Sequence, residues 1–382
     1  MTTAPNQSSQ LVFPATAIVG SIGELAMVLA DGTEVPEEFY FACGLTALGW
    51  MCSTQLTLNI GIDVEPRLFT VLLGASYDAR KSTAMRKTLT FFDRLVHSLS
   101  NPIPPKVIYG VGSAEGLMRE LELHSQLLLA YDELRAFIDK CKVQNSTLLA
   151  MTTSLFDSRH WDNTTKQSSS ISIGDAHLAL IGCCTNDTYA HMWTNEAIAI
   201  GFPNRLFVVG ADRKRKVAWP KAPDQAELDK LQLKIQGHIR KLPFTFDIAN
   251  DARAAWENWY NNLPSSEHTK RIDSIGFRLL GLIALSTDKT QIDLETVNTV
   301  LLILNYELDI RRLTDPIDAD NTIARLEEKI RRSLGVKGPL TKRNLRQVVH
   351  ADRYGLWAFD KALNNLLRAG DIRKTNDEYR LI

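Results

Sequence analysis

The sequence predicts an α/β protein: a parallel β-sheet with helices on both faces, then a helical region, then a small module of three helices and a hairpin. Three observations carry that expectation. Short, continuous apolar runs at 67–73, 126–131, 177–183 and 205–210 alternate with helical patterns, as strands buried on both faces do. The first run ends in a glycine, a polar loop, and Lys81-Ser82-Thr83 opening an amphipathic helix. From Asp320 onward the chain is basic and reads as three capped helices followed by a strand–turn–strand.

At 382 residues the chain has room for two or three domains. Cys43, Cys52, Cys141, Cys183 and Cys184 show no C-x-x-C or zinc-ligand spacing and read as buried free thiols of a reducing cytoplasm. Met1 to Gln10 lacks a signal-peptide pattern, and no run of about 18 apolar residues is present, so a cytoplasmic protein without a membrane partner is expected. The balance of 44 basic and 44 acidic residues hides an asymmetry. From Arg331 to the end there are 12 Lys and Arg against 5 Asp and Glu, so the rest of the chain is acidic. A basic terminal module on an acidic body points to a polyanionic partner.

Residues 1–35 read as a loosely ordered arm with some strand character, and 36–56 as an apolar helix. Residues 67–73 form the strand before the polar loop. Ser82 to Leu99 is an amphipathic helix with Met85, Leu89, Phe92, Leu95, Val96 and Leu99 on one stripe, ended by Pro102, Pro104 and Pro105. Val107 to Tyr109 is a short strand, and Ser113 caps a helix to about Leu123. Gln126 to Tyr131 is a second buried strand, 134–158 is helical, and Trp161 to Ile173 is a hairpin. His177 to Cys183 and Arg205 to Gly210 are the third and fourth buried strands, and 222–314 is mostly helical. The expected divisions are an arm at 1–35, a core at 36–221, a helical region at 222–318 and a terminal module at 319–382.

Gly74-Ala75-Ser76-Tyr77-Asp78-Ala79-Arg80-Lys81-Ser82-Thr83 has the order of a phosphate-binding loop. A buried strand delivers it, backbone N–H groups and a helix N-terminus face the phosphates, Lys81 reaches the β- and γ-phosphates, and the Ser82 hydroxyl holds magnesium. The usual pattern is G-x-x-x-x-G-K-[ST]. Here Arg80 precedes the lysine, and Ala75 stands at the first glycine position. The second strand ends in Asp132-Glu133. In P-loop ATPases such a pair orders the magnesium shell and polarises the attacking water; the plain alternative is a polar turn. After the third strand, Asn186, with Thr185 next in line, can hydrogen-bond the γ-phosphate or the lytic water, or serve as a turn amide. Arg205 follows the turn Gly201-Phe-Pro-Asn204. It reads either as an arginine that reaches a neighbouring subunit's nucleotide or as a structural ion pair.

The loop ending in Arg-Lys-Ser-Thr, Leu-Leu-Ala-Tyr-Asp-Glu and Gly-Phe-Pro-Asn-Arg-Leu-Phe, in this order, resemble a family of phage- and plasmid-type primase-associated ATPases, which are RecA/AAA+-like P-loop proteins. The resemblance covers roughly residues 36–312. It implies that Lys81 contacts phosphate, Ser82 and Asp132 hold Mg2+, Glu133 activates water and Arg205 acts in trans on ATP. The absent glycine before Lys81 departs from the general pattern and leaves affinity and turnover open. About 35 residues precede the core, so no primase domain is expected before it.

In the terminal module the first helix runs from a cap at Asp320-Asn-Thr to about Leu334, the second over Leu340 to Val349, and the third over Leu356 to Ala369, ended by Gly370. The hairpin turns at Asn376-Asp377. This pattern looks like a winged helix. Phe359, Leu363, Leu366 and Leu367 face its core, leaving Lys361, Asn364, Asn365 and Arg368 to enter a DNA groove. Arg373, Lys374 and Arg380 meet phosphates. A winged helix that contacts protein is the alternative. Lys166 in the hairpin near Trp161 is a candidate pore-loop contact to single strands, and Arg213 to Lys216 reads first as a solvated loop. The expectation is a DNA-dependent ATP hydrolase of a mobile element, a homo-oligomeric ring such as a hexamer, acting as a helicase or DNA motor in replication. The alternatives are a nucleotide-switched DNA-binding initiator or regulator with little hydrolysis, and an ATPase subunit of a defence or transposition complex.

Overall fold

The computed structural model of the chain describes residues 11–75, 79–99, 103–163, 171–314 and 322–382. In chain order its strands are β1 Leu56–Leu58, β2 Phe69–Leu73, β3 Lys106–Ile108, β4 Gln126–Tyr131, β5 Trp161–Asn163, β6 Ile171–Ile173, β7 His177–Cys184, β8 Leu206–Gly210, β9 Phe244–Phe246, β10 Leu340–Thr341, β11 Ile372–Thr375 and β12 Glu378–Leu381. Five of them form one sheet in the order β3-β4-β7-β2-β8, and every pairing in it is parallel. The mixed α/β class expected from the apolar runs is therefore present. The chain divides into two compact units, one of Val12–Leu308 and one built around Asp309–Ile382.

β2 and β7 are buried at every position, which is why their sequences show no polar alternation. The helix Glu37–Cys52 packs against the same sheet and is itself covered by the helices Gly20–Ala30 and Ile272–Ser286. It is apolar all round and buried along almost its whole length. Its Thr46 hydroxyl is satisfied locally: Oγ1 donates to the Ala42 carbonyl at 2.8 Å and lies 2.6 Å from Thr70 Oγ1 on β2. The helices Leu134–Cys141 and Leu148–Asp157 also pack on the sheet.

Three expectations change. The arm at 1–35 contains a helix, Gly20–Ala30, whose Ile22, Leu25, Ala26 and Leu29 are core residues. Its glycines at 20 and 23 hide a pattern that packing makes helical. Residues 134–158 form two helices, not one. The helical region also contributes β9, which pairs in parallel with β1, a contact 188 residues apart that no local pattern announces. The hairpin near Trp161 is present as β5 paired antiparallel with β6, and its tip lies outside the described residues. All five cysteines are buried and free, as expected. Among the described residues no helix is long and apolar enough to cross a membrane.

Glu65, Arg67, Asp157, Arg159, His177 and Arg278 meet at the N-terminal edge of the sheet. Glu65 Oε2 takes Arg67 Nε at 2.6 Å and His177 Nδ1 at 2.9 Å, and its other oxygen takes Arg159. Arg278 donates from Nη1 to the Glu65 and Arg67 carbonyls at 3.0 and 2.7 Å and from Nη2 to the Phe156 carbonyl at 2.7 Å. Its guanidinium lies 3.9 Å over the Phe156 ring. Buried carbonyls at a strand entry need donors, and Arg278 supplies three.

Burial pushes the Glu65 carboxyl up, but the His177 hydrogen bond and the Arg67 charge outweigh it and hold the group down at about 2. A folded-state value below the unfolded one stabilises the fold above pH 4.5, by about 3 kcal/mol, and that stability is lost as pH falls towards 2. Urea unfolding between pH 7 and pH 3 is expected to show this acid slope. Glu65→Gln should be destabilised by about 3–5 kcal/mol at pH 7, because it strands buried arginine charge. Its deficit should shrink as the pH drops; a constant deficit would contradict the ionised carboxylate.

Candidate functional site

In a parallel sheet every strand's carboxyl end emerges at one edge. Leu73 at the end of β2 is level with Cys184 on β7 and with Gly210 on β8, and Tyr131 at the end of β4 is level with Gly182. From β2 the chain crosses to β3 at one side of the sheet. From β7 it crosses over β2 to β8 at the other. β2 and β7 are thus neighbours whose onward connections part, which makes the crevice at their carboxyl ends a topological switch point. Lys81, Asp132, Glu133 and Asn186 all follow strands that end at this edge.

Gly74 ends β2 in tight quarters. A Cβ there would lie 2.6 Å from both the Ala211 carbonyl oxygen and the Ala79 Cβ. Close approach, not unusual backbone angles, is what demands glycine. Ser76, Tyr77 and Asp78 lie outside the described residues. Arg80 adopts the left-handed conformation, φ 52° and ψ 30°, at the position where the usual pattern has glycine before the lysine. The backbone therefore takes the shape that a glycine would permit, at a cost of about 1–2 kcal/mol for a residue with a Cβ. The Arg80 guanidinium is tied down: Nε and Nη2 donate to Glu34 Oε2 at 3.2 and 3.1 Å.

Lys81 opens the helix Lys81–Ser98 and is buried. Its ammonium donates to the Gly74 and Ala75 carbonyls at 2.8 and 3.1 Å, so it lies inside the loop that it follows. Burial lowers its pKa, opposed by nearby acidic groups that include Glu133 and Asp212. Ser82 hydrogen-bonds the Cys183 thiol, which burial pushes up to about 12 and so keeps neutral. Thr83 faces solvent.

Asp132 follows β4 directly. Its Oδ2 pairs with Arg86, one turn along the helix that Lys81 begins. Its Oδ1 is buried and has no hydrogen-bond partner among the described residues. Ser82 and Asp132 both neighbour Cys183, so the open carboxylate oxygen and the serine hydroxyl are the groups here that could hold a cation. No group of three or more His, Cys, Asp or Glu that could hold a metal occurs among the described residues. A magnesium ion completed by phosphate and water oxygens needs only these two side chains. Glu133 is the exposed residue that precedes the helix Leu134–Cys141. That helix starts against β7: a Cβ on Gly182 would lie 2.8 Å from Leu134 Cδ1, so the absent side chain lets Glu133 approach the crevice. Thr185 is used as a helix cap, its Oγ1 accepting from Thr188 N–H at 3.1 Å. Asn186 stands exposed beside it at the carboxyl end of β7.

Arg205 is elsewhere. It precedes β8 and so lies at the amino edge of the sheet, about 20 Å of strand away from Gly74. It is buried, donating to the Ile200 and Gly201 carbonyls at 3.1 and 3.0 Å and to Asp157 Oδ2 at 3.1 Å. Asp157 also takes Arg271 at 2.7 Å. Within one subunit Arg205 is a structural ion pair. Residues Glu34, Arg86 and Asp212 carry charge in or beside the crevice without forming part of a sequence motif. Only the spacing of Arg86, four residues after Ser82 and so on the same helix face, could have pointed to it.

The terminal unit packs the helices Thr322–Lys337, Lys342–Val348 and Leu356–Ala369 around Leu326, Ile330, Leu345, Phe359, Leu363 and Leu366, with an antiparallel sheet in the order β10-β12-β11. Leu367 is partly buried against that core. The turn at Asn376 and Asp377 has φ 48° and 62°, as a tight hairpin needs. Lys361, Asn364 and Arg368 are exposed along one stripe of the third helix, and Arg373 and Lys374 on the hairpin. Asn365 leaves that set: its side chain is half-buried and donates to Glu327 Oε1 at 2.7 Å. It sits on the side of the helix that packs, one position too far round to face out. Lys374 is engaged by Asp377 at 2.8 Å. Lys166 lies outside the described residues. Arg213 to Arg215 is a fastening, not a solvated loop: Lys214 bonds Glu37 and Glu38, and Arg215 bonds the Ala30 and Thr33 carbonyls.

The chain matches no family model and no curated protein sequence.

The conformation at Arg80 can be checked by substitution. Arg80→Gly relieves the left-handed strain and should leave thermal stability unchanged or raised. Arg80→Val, β-branched at φ 52°, should lower it by about 1–2 kcal/mol. Equal stability of the two variants would show that this residue is not left-handed.

Proposed function

We propose that the chain is a magnesium-dependent ATPase that works on DNA, a ring-forming helicase or motor of a mobile element, with a P-loop core and a winged-helix module. One observation carries the reading: Lys81, the open oxygen of Asp132, Glu133 and Asn186 gather at the switch point of one parallel sheet, behind a loop with a left-handed residue before its lysine.

The chemistry follows from those positions. The Lys81 ammonium is held by two backbone carbonyls that can give it up to phosphate oxygens. The start of the helix Lys81–Ser98 adds its N–H groups and positive dipole end. Ser82 and Asp132 would hold a magnesium ion, which would supply charge neutralisation for the phosphates. Glu133, exposed at the rim, takes the proton of a water attacking the γ-phosphorus, and Asn186 orients that water or the phosphate. The neutral thiols of Cys183 and Cys184 form a low-dielectric floor that strengthens these interactions. The exposed Lys361, Asn364 and Arg368 suit a DNA groove, and the 12 basic residues against 5 acidic ones from Arg331 onward suit its backbone.

A second reading has one observation in its favour. Arg205 is clasped by Asp157 and two carbonyls, so it reaches a neighbour's nucleotide only after leaving them. Without that charge the site binds ATP and turns it over slowly, as a nucleotide-switched DNA-binding regulator does.

ATP hydrolysis with and without DNA separates the two. The motor reading expects turnover stimulated by DNA, abolished in Lys81→Ala, and reduced about 100-fold or more in Glu133→Gln with ATP binding kept. Tight ATP binding with negligible turnover would support the switch instead, and turnover indifferent to Lys81→Ala would overturn both. For the terminal unit, Lys361→Ala with Arg368→Ala should weaken DNA binding and lower the slope of log affinity against log salt by about 2. Unchanged affinity would assign that helix to protein contacts.

A further inference from the structure

Resting on the ATPase reading, we infer that Trp219 is the stacking platform for the nucleotide base, presented by a strap that the fold pins beside the phosphate loop. Trp219 is 88% exposed, the highest exposure of any large apolar side chain among the described residues. An exposed indole offers a large, rigid, flat face on which a base can stack.

The strap that carries it is fastened at its start, middle and end. It leaves β8 with the Ala211 N–H donating to the Leu73 carbonyl at 3.0 Å, and the Ala211 carbonyl fits against Gly74. Val217 N–H donates to Glu34 Oε1 at 3.0 Å. The other oxygen of the same carboxylate holds Arg80, the residue before the phosphate lysine. Just beyond Trp219, the Lys221 N–H donates to the Gly32 carbonyl at 3.1 Å. Trp219 therefore stands two residues from an anchor shared with the phosphate loop.

The sheet order sets the direction of the ligand. Asp132, Glu133 and Asn186 follow β4 and β7, on one side of β2, and the strap follows β8, on the other. A triphosphate whose γ-phosphate points toward the carboxylates runs back across Lys81, and its sugar and base emerge on the β8 side. The partner chemistry that suits an exposed indole there is the flat face of a purine or pyrimidine.

Binding of ATP and of inorganic tripolyphosphate tests this on the full chain with magnesium. Tripolyphosphate carries the phosphates without the base. Trp219→Ala is expected to weaken ATP about tenfold, within the range of a lost stack, and to leave tripolyphosphate unchanged, whereas Trp219→Phe should retain ATP. Because the side chain lies in solvent, these variants should fold as the parent does, checked by their melting temperatures. Lys81→Ala should weaken both ligands. Wild-type binding of both ligands with ATP affinity unmoved by Trp219→Ala would overturn the stacking role alone. Equal weakening of both ligands by Trp219→Ala would also overturn it. Failure of the wild type to bind either ligand would overturn the phosphate loop and the stacking role together.

Discussion

The parallel ladder that sets β7 between β2 and β4 is the constraint on which the rest of the larger unit depends. Its hydrogen bonds hold Leu73 level with Cys184 and Tyr131 level with Gly182. That register brings a lysine, two carboxylates and an amide from three distant segments to one edge. A slip of one residue would turn every buried side chain of a strand to the other face. The Thr46–Thr70 hydroxyl contact and the buried, mostly apolar helix over β2 resist such a slip, since both match one register only. Glycines at 74 and 182 set the spacing: one admits the Ala211 carbonyl, the other the start of the helix after Glu133.

The segment between β2 and the helix Lys81–Ser98 departs from the usual phosphate-loop pattern in residue type but not in backbone shape. The position before its lysine takes a left-handed conformation, which glycine adopts freely. Arg80 adopts it with φ 52°, and its long side chain reaches Glu34. The same glutamate takes the Val217 N–H, so the loop and the strap after β8 share an anchor. Basic residues at 213–215, which in sequence read first as a solvated loop, are consumed in fastening that strap to the ends of two helices.

Opposite the crevice, the amino edge of the sheet is closed by a network of buried ions. Arg278 satisfies three carbonyls, and Glu65 is shared by Arg67, Arg159 and His177. Such a network contributes little net stability over an apolar core, but losing one member is costly, so it fixes which segments meet. Arg205 belongs to this edge through Asp157. Its sequence context, a Gly/Pro turn before an apolar strand, is the same for a structural ion pair and for a residue that reaches outward, so only burial and partners separate the two within a subunit.

By itself the sequence determined most element types and the chemistry at the strand ends. Short apolar runs of five to eight residues bounded by turn signals read as strands buried on both faces, whereas the longer apolar run at 37–52 is a helix. Lys81, Asp132, Glu133 and Asn186 lie at or just beyond the ends of such strands. The third helix and the Asn376-Asp377 turn fall where the sequence put them, but the second helix starts at Lys342 because Leu340–Thr341 pairs with β12 as a strand, and the first runs on to Lys337. Tertiary structure alone decided which strands are neighbours, because pairing order is set by crossovers and packing, which no local window records. It also turned the expected N-terminal arm into a buried helix, joined β1 to β9 across the chain, and rotated Asn365 onto Glu327. It left one oxygen of Asp132 open while Arg86 took the other. Each of these depends on residues far apart in sequence meeting in space, and a linear pattern carries local periodicity but not that proximity.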